Sequence, residues 1–271
     1  MTNEERTPRV LTIAGSDSGG GAGIQADLKA FARAGVHGMT AVTAVTAQNT
    51  TGVLAVYPLP QEAIVEQVRA VATDIGVDAV KIGMLGTAET IETVAGALEL
   101  TAGAPVVLDP VMIAESGARL LDEDALDALR MRLIPQVTAV TPNLPEAGVL
   151  AGDSGAPDAL ARAIHALGPE AVVVTGGHRE DATDVFFDGE RLVEIRGERY
   201  PDGAAHGSGC THSSALAAHL ALGCDPLEAA RRAKQIASEA VRDGLREIGS
   251  GDGPVDVFGL VRRRAPTSPV P

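Results

Sequence analysis

Tryptophan is absent from this 271-residue chain, and aromatic residues make up only 2% of it. Aliphatic side chains must therefore fill the core, and a pocket of stacked rings is not expected. Only two cysteines occur, Cys210 and Cys224, too few for a disulfide framework, which points to a reducing compartment. Of 22 basic residues only three are lysines, Lys29, Lys81 and Lys234. Against 36 acidic residues they leave a net charge of −14 and a pI of about 4.8. That balance speaks against nucleic acid, whose phosphates need a basic footprint, and against an anionic membrane surface. No apolar run approaches the roughly 18 residues of a membrane span. The N-terminus, Met1-Thr2-Asn3-Glu4-Glu5-Arg6, is acidic and has no apolar signal segment, so the chain reads as cytoplasmic. Neither Cys-x-x-Cys nor His-Glu-x-x-His occurs, so a zinc site is not expected.

What is present is a soluble α/β pattern, 45% hydrophobic with a mean hydropathy of +0.12. Short apolar runs predict strands at Val10–Ala14, Met39–Ala47, Ala79–Ile82, Val106–Leu108, Val137–Val140 and Ala171–Val174. Helical periodicity falls between them at Ile24–Ala34, Gln61–Asp74, Ala88–Leu100, Asp124–Leu133 and Pro157–Leu167. This alternation implies a mostly parallel central β-sheet with helices on both faces. Asp184–Arg196 reads as a β-hairpin around Asp188-Gly189, followed by helices at Thr211–Leu222 and Pro226–Leu245. No repeat or linker divides the chain, so 1–271 is expected to be one domain, with 1–8 and about 259–271 loosely ordered. Looseness is expected already after Gly249, where Gly, Pro and Arg accumulate.

Four segments could carry chemistry. Ala14-Gly15-Ser16-Asp17-Ser18-Gly19-Gly20-Gly21-Ala22-Gly23 joins a strand to a helix, where free N–H groups favour anionic or polar ligands. It lacks the Gly-Lys-Ser/Thr of a phosphate-binding loop and can equally be a structural turn. Asp27, expected on the first helical turn, is either an acid stabilised by the helix dipole or a carboxylate facing a ligand. Thr46-Ala47-Gln48-Asn49-Thr50-Thr51-Gly52 ends a strand. Gln48 could pair with a heterocycle through both donor and acceptor, or be a solvated turn residue. In Thr141-Pro142-Asn143-Leu144-Pro145-Glu146, Asn143 and Glu146 fit a capping box, or a place near Mg-nucleotide phosphates. The fourth is His206-Gly207-Ser208-Gly209-Cys210-Thr211, an anion nest at a helix N-terminus. There the dipole is expected to lower the Cys210 thiol pKa, suiting it to take a proton from an attacking hydroxyl; a small buried cysteine in a tight turn is the bland alternative. Gly176-Gly177-His178 is a further glycine turn after a strand.

These segments, with Lys81-Ile82-Gly83-Met84-Leu85 and Leu108-Asp109-Pro110-Val111-Met112, resemble the hydroxymethylpyrimidine/phosphomethylpyrimidine kinases of thiamine biosynthesis, over about residues 9 to 258. The resemblance implies a ribokinase-like fold, a homodimer, and MgATP-dependent phosphorylation of 4-amino-5-hydroxymethyl-2-methylpyrimidine and then of its monophosphate. It implies Gln48, Asp27, Gly15, Met84 and Val111 at the pyrimidine, and Asn143, Thr175 and Gly177 at ATP. Glu146 and Asp109 would hold the metal through water, Gly207, Ser208 and Gly209 would form the anion hole, and Cys210 would be catalytic. Thr175 stands where the family often has a phosphate-directed Lys, and Ala204-Ala205 where it usually has Asn-Thr. A pyridoxal kinase, a sugar kinase and a non-catalytic pyrimidine-binding regulator are the competing readings. A cysteine in place of the sugar kinases' catalytic carboxylate disfavours the second.

Overall fold

A computed structural model describes residues 6–114, 117–122, 124–178, 182–201 and 203–260. Nine strands form one sheet in the order β3-β2-β1-β4-β5-β6-β7-β8-β9. They are β1 (Arg9–Asp17), β2 (His37–Asn49), β3 (Gly52–Pro58), β4 (Ala79–Ile82), β5 (Val106–Leu108), β6 (Ala139–Val140), β7 (Ala171–Val174), β8 (Asp184–Phe187) and β9 (Leu192–Ile195). The six central strands run parallel, while β3 at one edge and β8 and β9 at the other are antiparallel.

The strands read as unbroken apolar runs because both faces are covered. Leu11, Ile13, Val80, Ile82, Leu108, Val140 and Val172 face one core. Against them pack α2 (Gln61–Asp74), α3 (Ala88–Ala97), α4 (Ala125–Ala128, continued as wider and tighter turns through Gln136), α5 (Leu144–Ala151) and α6 (Pro157–His165). Val10, Ala79, Val107, Ala139, Ala171 and Val173 face the other core, under α1 (Gly23–Ala34), α7 (Ser208–Ala221) and α8 (Pro226–Arg242).

Three expectations are corrected. The return strand β3 is not anticipated by the sequence pattern; it pairs with an extended β2 across a turn in which Asn49 Oδ1 accepts from the Thr51 and Gly52 amides. Residues 6–8 are pinned, Arg6 by Asp78 and the Pro8 carbonyl by the His37 amide, whereas residues 1–5 and 261–271 lie outside the described ones. The segment after Gly249 is packed: Val255, Asp256 and Val257 are buried, and Pro254 and Val255 lie against the Leu245 amide and the His206 carbonyl.

The chain reverses its direction of winding between β1 and β4, so the loops leaving these strands diverge. Such a switch point opens a crevice beyond the carboxyl ends of the strands. Every segment singled out above lies along that edge or over it.

Candidate active site

The site begins with Asp17, the last residue of β1. Its Oδ1 accepts from the Gly19 amide at 2.7 Å and its Oδ2 from the Gly21 and Ala22 amides at 3.0 and 2.8 Å. Burial raises this carboxyl, but the His206 ring and these amides outweigh it and hold the pKa below its ordinary value. One carboxylate thus folds the glycine run, and His206 Nε2, 3.3 Å from Oδ2, joins that run to the loop before α7. The two loops interlock. Gly207 has φ +82°, and a side chain there would collide with the Gly21 carbonyl, so only glycine serves.

α7 begins at Ser208, with Gly207 as its cap. The Ser208 amide is engaged by the Ala205 carbonyl at 2.9 Å. That bond takes Ser208 out of the expected anion hole; the amides at the start of α7 left without partners among the described residues are those of Gly207, Gly209 and Cys210. The Gly23 amide, at the start of α1, reaches the Cys210 thiol. Two helix N-termini therefore converge on one sulfur. Their effect is nevertheless overturned by enclosure. Burial pushes the thiol up to about 12; Lys81 pulls it down, while Asp109 and Asp27 add to the rise. The expected lowering by the helix dipole is corrected on this point: desolvation of a charged sulfur exceeds the dipole's help.

Beneath the thiol lies a buried polar cluster. Lys81, in the middle of β4, is fully enclosed and pairs with Asp27 Oδ1 at 2.9 Å. Asp27 also accepts from the Thr12 and Ser214 hydroxyls at 2.6 and 2.7 Å. Burial works against the ammonium, yet Asp27, Cys210 and Asp109 together raise its pKa, so it is charged. Asp27 is the fifth residue of α1, beyond its first turn, and has no exposed surface. The contact with substrate expected of it is replaced by one with Lys81.

Asp109 follows β5 and is bonded by the Ser213 hydroxyl at 3.1 Å, under the open position at Gly209. Glu146 forms the capping box with Asn143, whose Oδ1 accepts from the Glu146 amide at 2.9 Å while Glu146 Oε2 accepts from the Asn143 amide at 3.0 Å. Burial and the nearby Asp109 push Glu146 up to about 8, and burial raises Asp109 as well, against the pull of Lys81. Two enclosed, mutually repelling carboxylates fit a hard divalent cation that keeps most of its water. Among the described residues no group of three such side chains is assembled to ligate a metal directly.

Thr175 pairs with Asn143 across the ends of β7 and β6, its amide on the Pro142 carbonyl at 2.9 Å, so these two and Gly177 lie together. At the other end of the crevice Gly15 lies against Met84, and Met84 is anchored through its carbonyl by the Thr43 hydroxyl at 2.8 Å. The Val111 amide turns back onto the Asp109 carbonyl at 2.8 Å, which places Val111 at the mouth of β5. Gln48 is half-buried, its Oε1 accepting from the Thr46 hydroxyl at 3.0 Å, and it lines a small hollow with Ala114, His206 and Asp252. The structuring roles of Asp17 and His206, and the partnership of Lys81 with Asp27, are absent from the sequence reading; the only signal for them is that they stand inside glycine-flanked motifs.

Residues 17–256 match the family model for phosphomethylpyrimidine kinase. A hydroxymethylpyrimidine/phosphomethylpyrimidine kinase of Streptomyces coelicolor is 48% identical, covering 92% of this chain and 94% of that protein. A thiamine biosynthesis bifunctional protein of Geobacter sulfurreducens is 46% identical over 91% of this chain and 51% of its own length. Among solved structures, a pyridoxal kinase of Staphylococcus aureus in complex with ADP superposes with a TM-score of 0.86 at 35% identity, covering 96% of both chains.

Proposed function

The chain belongs to the phosphomethylpyrimidine kinase family, and on that premise we propose that it phosphorylates 4-amino-5-hydroxymethyl-2-methylpyrimidine from ATP, and then the resulting monophosphate, in thiamine biosynthesis. The observation that carries the reading is the meeting of two helix N-termini at Cys210, four residues after His206, which lines a small hollow with Gln48. The amides of Gly207, Gly209 and Cys210 would steady the charge of a transferring phosphoryl group. Gln48 offers an acceptor and a donor to an aminopyrimidine's exocyclic amine and ring nitrogen. Asn143, Thr175 and Gly177 face the nucleotide.

Mg²⁺ bound through water near Asp109 and Glu146 would neutralise these carboxylates and the phosphates. A thiol held at about 12 carries its proton and is a poor base. Among the groups around the thiol, Lys81 is the largest influence drawing it toward ionisation, against burial, Asp109 and Asp27. Cys210 then takes the hydroxymethyl proton as the substrate oxygen bonds to the γ-phosphorus and ADP leaves.

The likeness to a pyridoxal kinase supplies the second reading, since pyridoxal also presents a hydroxymethyl group on a flat nitrogen ring. ADP release with each compound separates the two: kcat/KM should favour the pyrimidine, and Gln48→Ala should raise its KM by roughly 5–150-fold while the ATP KM holds. A preference for pyridoxal, or no ADP with either, would reject the assignment. No helix among the described residues is long and apolar enough to cross a membrane, and we place the enzyme in the cytoplasm. We assign a second copy of the chain to the β3 edge, where Leu54, Val56 and Tyr57 stand exposed. A molar mass in solution of one chain would reject that homodimer.

A further inference from the structure

Asp184 opens β8, and its side chain is 1% exposed. Its Oδ1 accepts from the Gly176 amide at 2.7 Å and from the Lys234 ammonium at 2.6 Å. Its Oδ2 lies 3.3 Å from Nε2 of His212, a residue of α7 two positions beyond Cys210. His212 is itself buried, and neither of its ring nitrogens has an aligned hydrogen-bond partner among the described residues, so it meets Asp184 as a close polar contact. Burial disfavours the charged carboxylate, but His212 and Lys234 outweigh it. An enclosed charge of this kind persists only where partners fix it, and it then fixes them.

What it fixes is the turn after β7. A side chain at Gly176 would run into the carbonyl of Thr183, so this residue is packed from behind. Gly177 beside it has nothing within 4 Å of where a side chain would begin. The turn thus has a clamped back and an open front, next to the Thr175–Asn143 pairing. Two successive glycines are costly to order, and a charge-assisted bond to the first amide offsets that cost. The Lys234 ammonium extends the clamp to α8, and His212 extends it to the helix whose first turn holds the thiol.

We propose that Asp184, held by Lys234 and His212, is a positioning residue for the nucleotide: it sets the Gly176–Gly177 turn against ATP and ties that turn to α7. The proposal rests on the kinase reading above. Asp184 touches no ligand and acts through the turn. Loss of the clamp therefore weakens nucleotide binding without touching Gln48, which stands at the end of β2, five strands across the sheet from β7.

The test is steady-state kinetics on the full chain, with ADP affinity measured by calorimetry on the same variants. Asp184→Ala should raise the ATP KM and the ADP Kd by about tenfold, as loss of a charge-assisted bond implies. Asp184→Asn keeps an acceptor for the Gly176 amide and should show a smaller rise. Lys234→Met, which leaves that bond in place but frees the carboxylate from α8, should fall between wild type and Asp184→Ala. The pyrimidine KM should stay within about twofold, since a 1.4 kcal/mol change is needed for tenfold. A folded Asp184→Ala chain with wild-type ADP affinity would overturn the proposal. So would equal rises in both KM values, which mean general loosening. Should Asp184→Ala fail to fold, Asp184→Asn and Lys234→Met decide by the same criteria. A wild-type chain that phosphorylates nothing would reject the kinase reading alone, because ADP affinity still reads the turn.

Discussion

Replacing Lys81 by methionine removes one charge from the enclosed cluster and leaves the other behind. Met fills much of the lysine's volume, so the change is chiefly electrostatic. Asp27 keeps its bonds from Thr12 and Ser214 at 2.6 and 2.7 Å but loses the ammonium at 2.9 Å, with no surface to water. Removing one partner of a buried ion pair costs about 3–5 kcal/mol. At about 2–4 °C per kcal/mol for a domain near this size, the melting temperature should fall by roughly 6–20 °C. The pH dependence has a definite sign. The folded-state pKa of Lys81 is raised above the ordinary 10.5, so its contribution is fully present below 10.5 and lost only above it; the wild-type ammonium gives no slope between pH 5 and 9. The deficit should therefore be read at pH 6 and pH 8, where the wild-type ammonium stays charged. Adding Asp27→Asn should restore most of the loss, because the amide oxygen still accepts from both hydroxyls. Urea unfolding of the single and double variants at the two pH values is the assay. A single variant within about 1 kcal/mol of wild type, or a double variant no better than the single, would refute the reasoning.

Two further outcomes follow from the site. Cys210→Ala should lower kcat by on the order of 10²–10⁴ with little change in either KM, and turnover undiminished under saturating substrates would remove the thiol from the mechanism. Glu146, held at about 8 when folded against an ordinary 4.5, keeps its proton in the folded chain where the unfolded chain has lost it. Stability of the metal-free chain should therefore decline as pH rises from about 4.5 to 8, and Glu146→Gln should flatten that slope. Thermal unfolding with and without Mg²⁺ reads the same group: stabilisation should be larger at pH 8 than at pH 6, and equal stabilisation would place the cation elsewhere.

The alternation of apolar runs and amphipathic stretches made the parallel sheet and its two helical layers legible, because strands buried on both faces are apolar throughout. The β3 strand fits the same rule and goes unread all the same: Val53-Leu54-Ala55-Val56-Tyr57 is itself a short apolar run, though at the sheet edge it exposes Leu54 and Tyr57. The capping box of Asn143 and Glu146 was readable from local spacing. Its electrostatics were not, because Asp109, which raises Glu146, stands far off in sequence. Cys210 shows the same limit. Its place at a helix start was legible, but the upward shift of its pKa comes from burial and from Asp109 and Asp27, which no local pattern contains. Asp27 reads in sequence as a dipole-stabilised acid or a carboxylate facing a ligand, since Lys81 lies 54 residues away.

The interlocked loops around Gly21 and Gly207 also set when the site can exist. One belongs to the first strand–helix connection and the other to the approach to α7, so neither has its partner until nearly the whole chain is in place. A partly folded or truncated N-terminal portion has no assembled pocket, and ligand can stabilise only states in which both loops have met. In refolding, substrate or nucleotide should therefore leave the early phases untouched and act on the last one alone. For the growing chain, it means that nothing competes for the metabolites until α7 has docked.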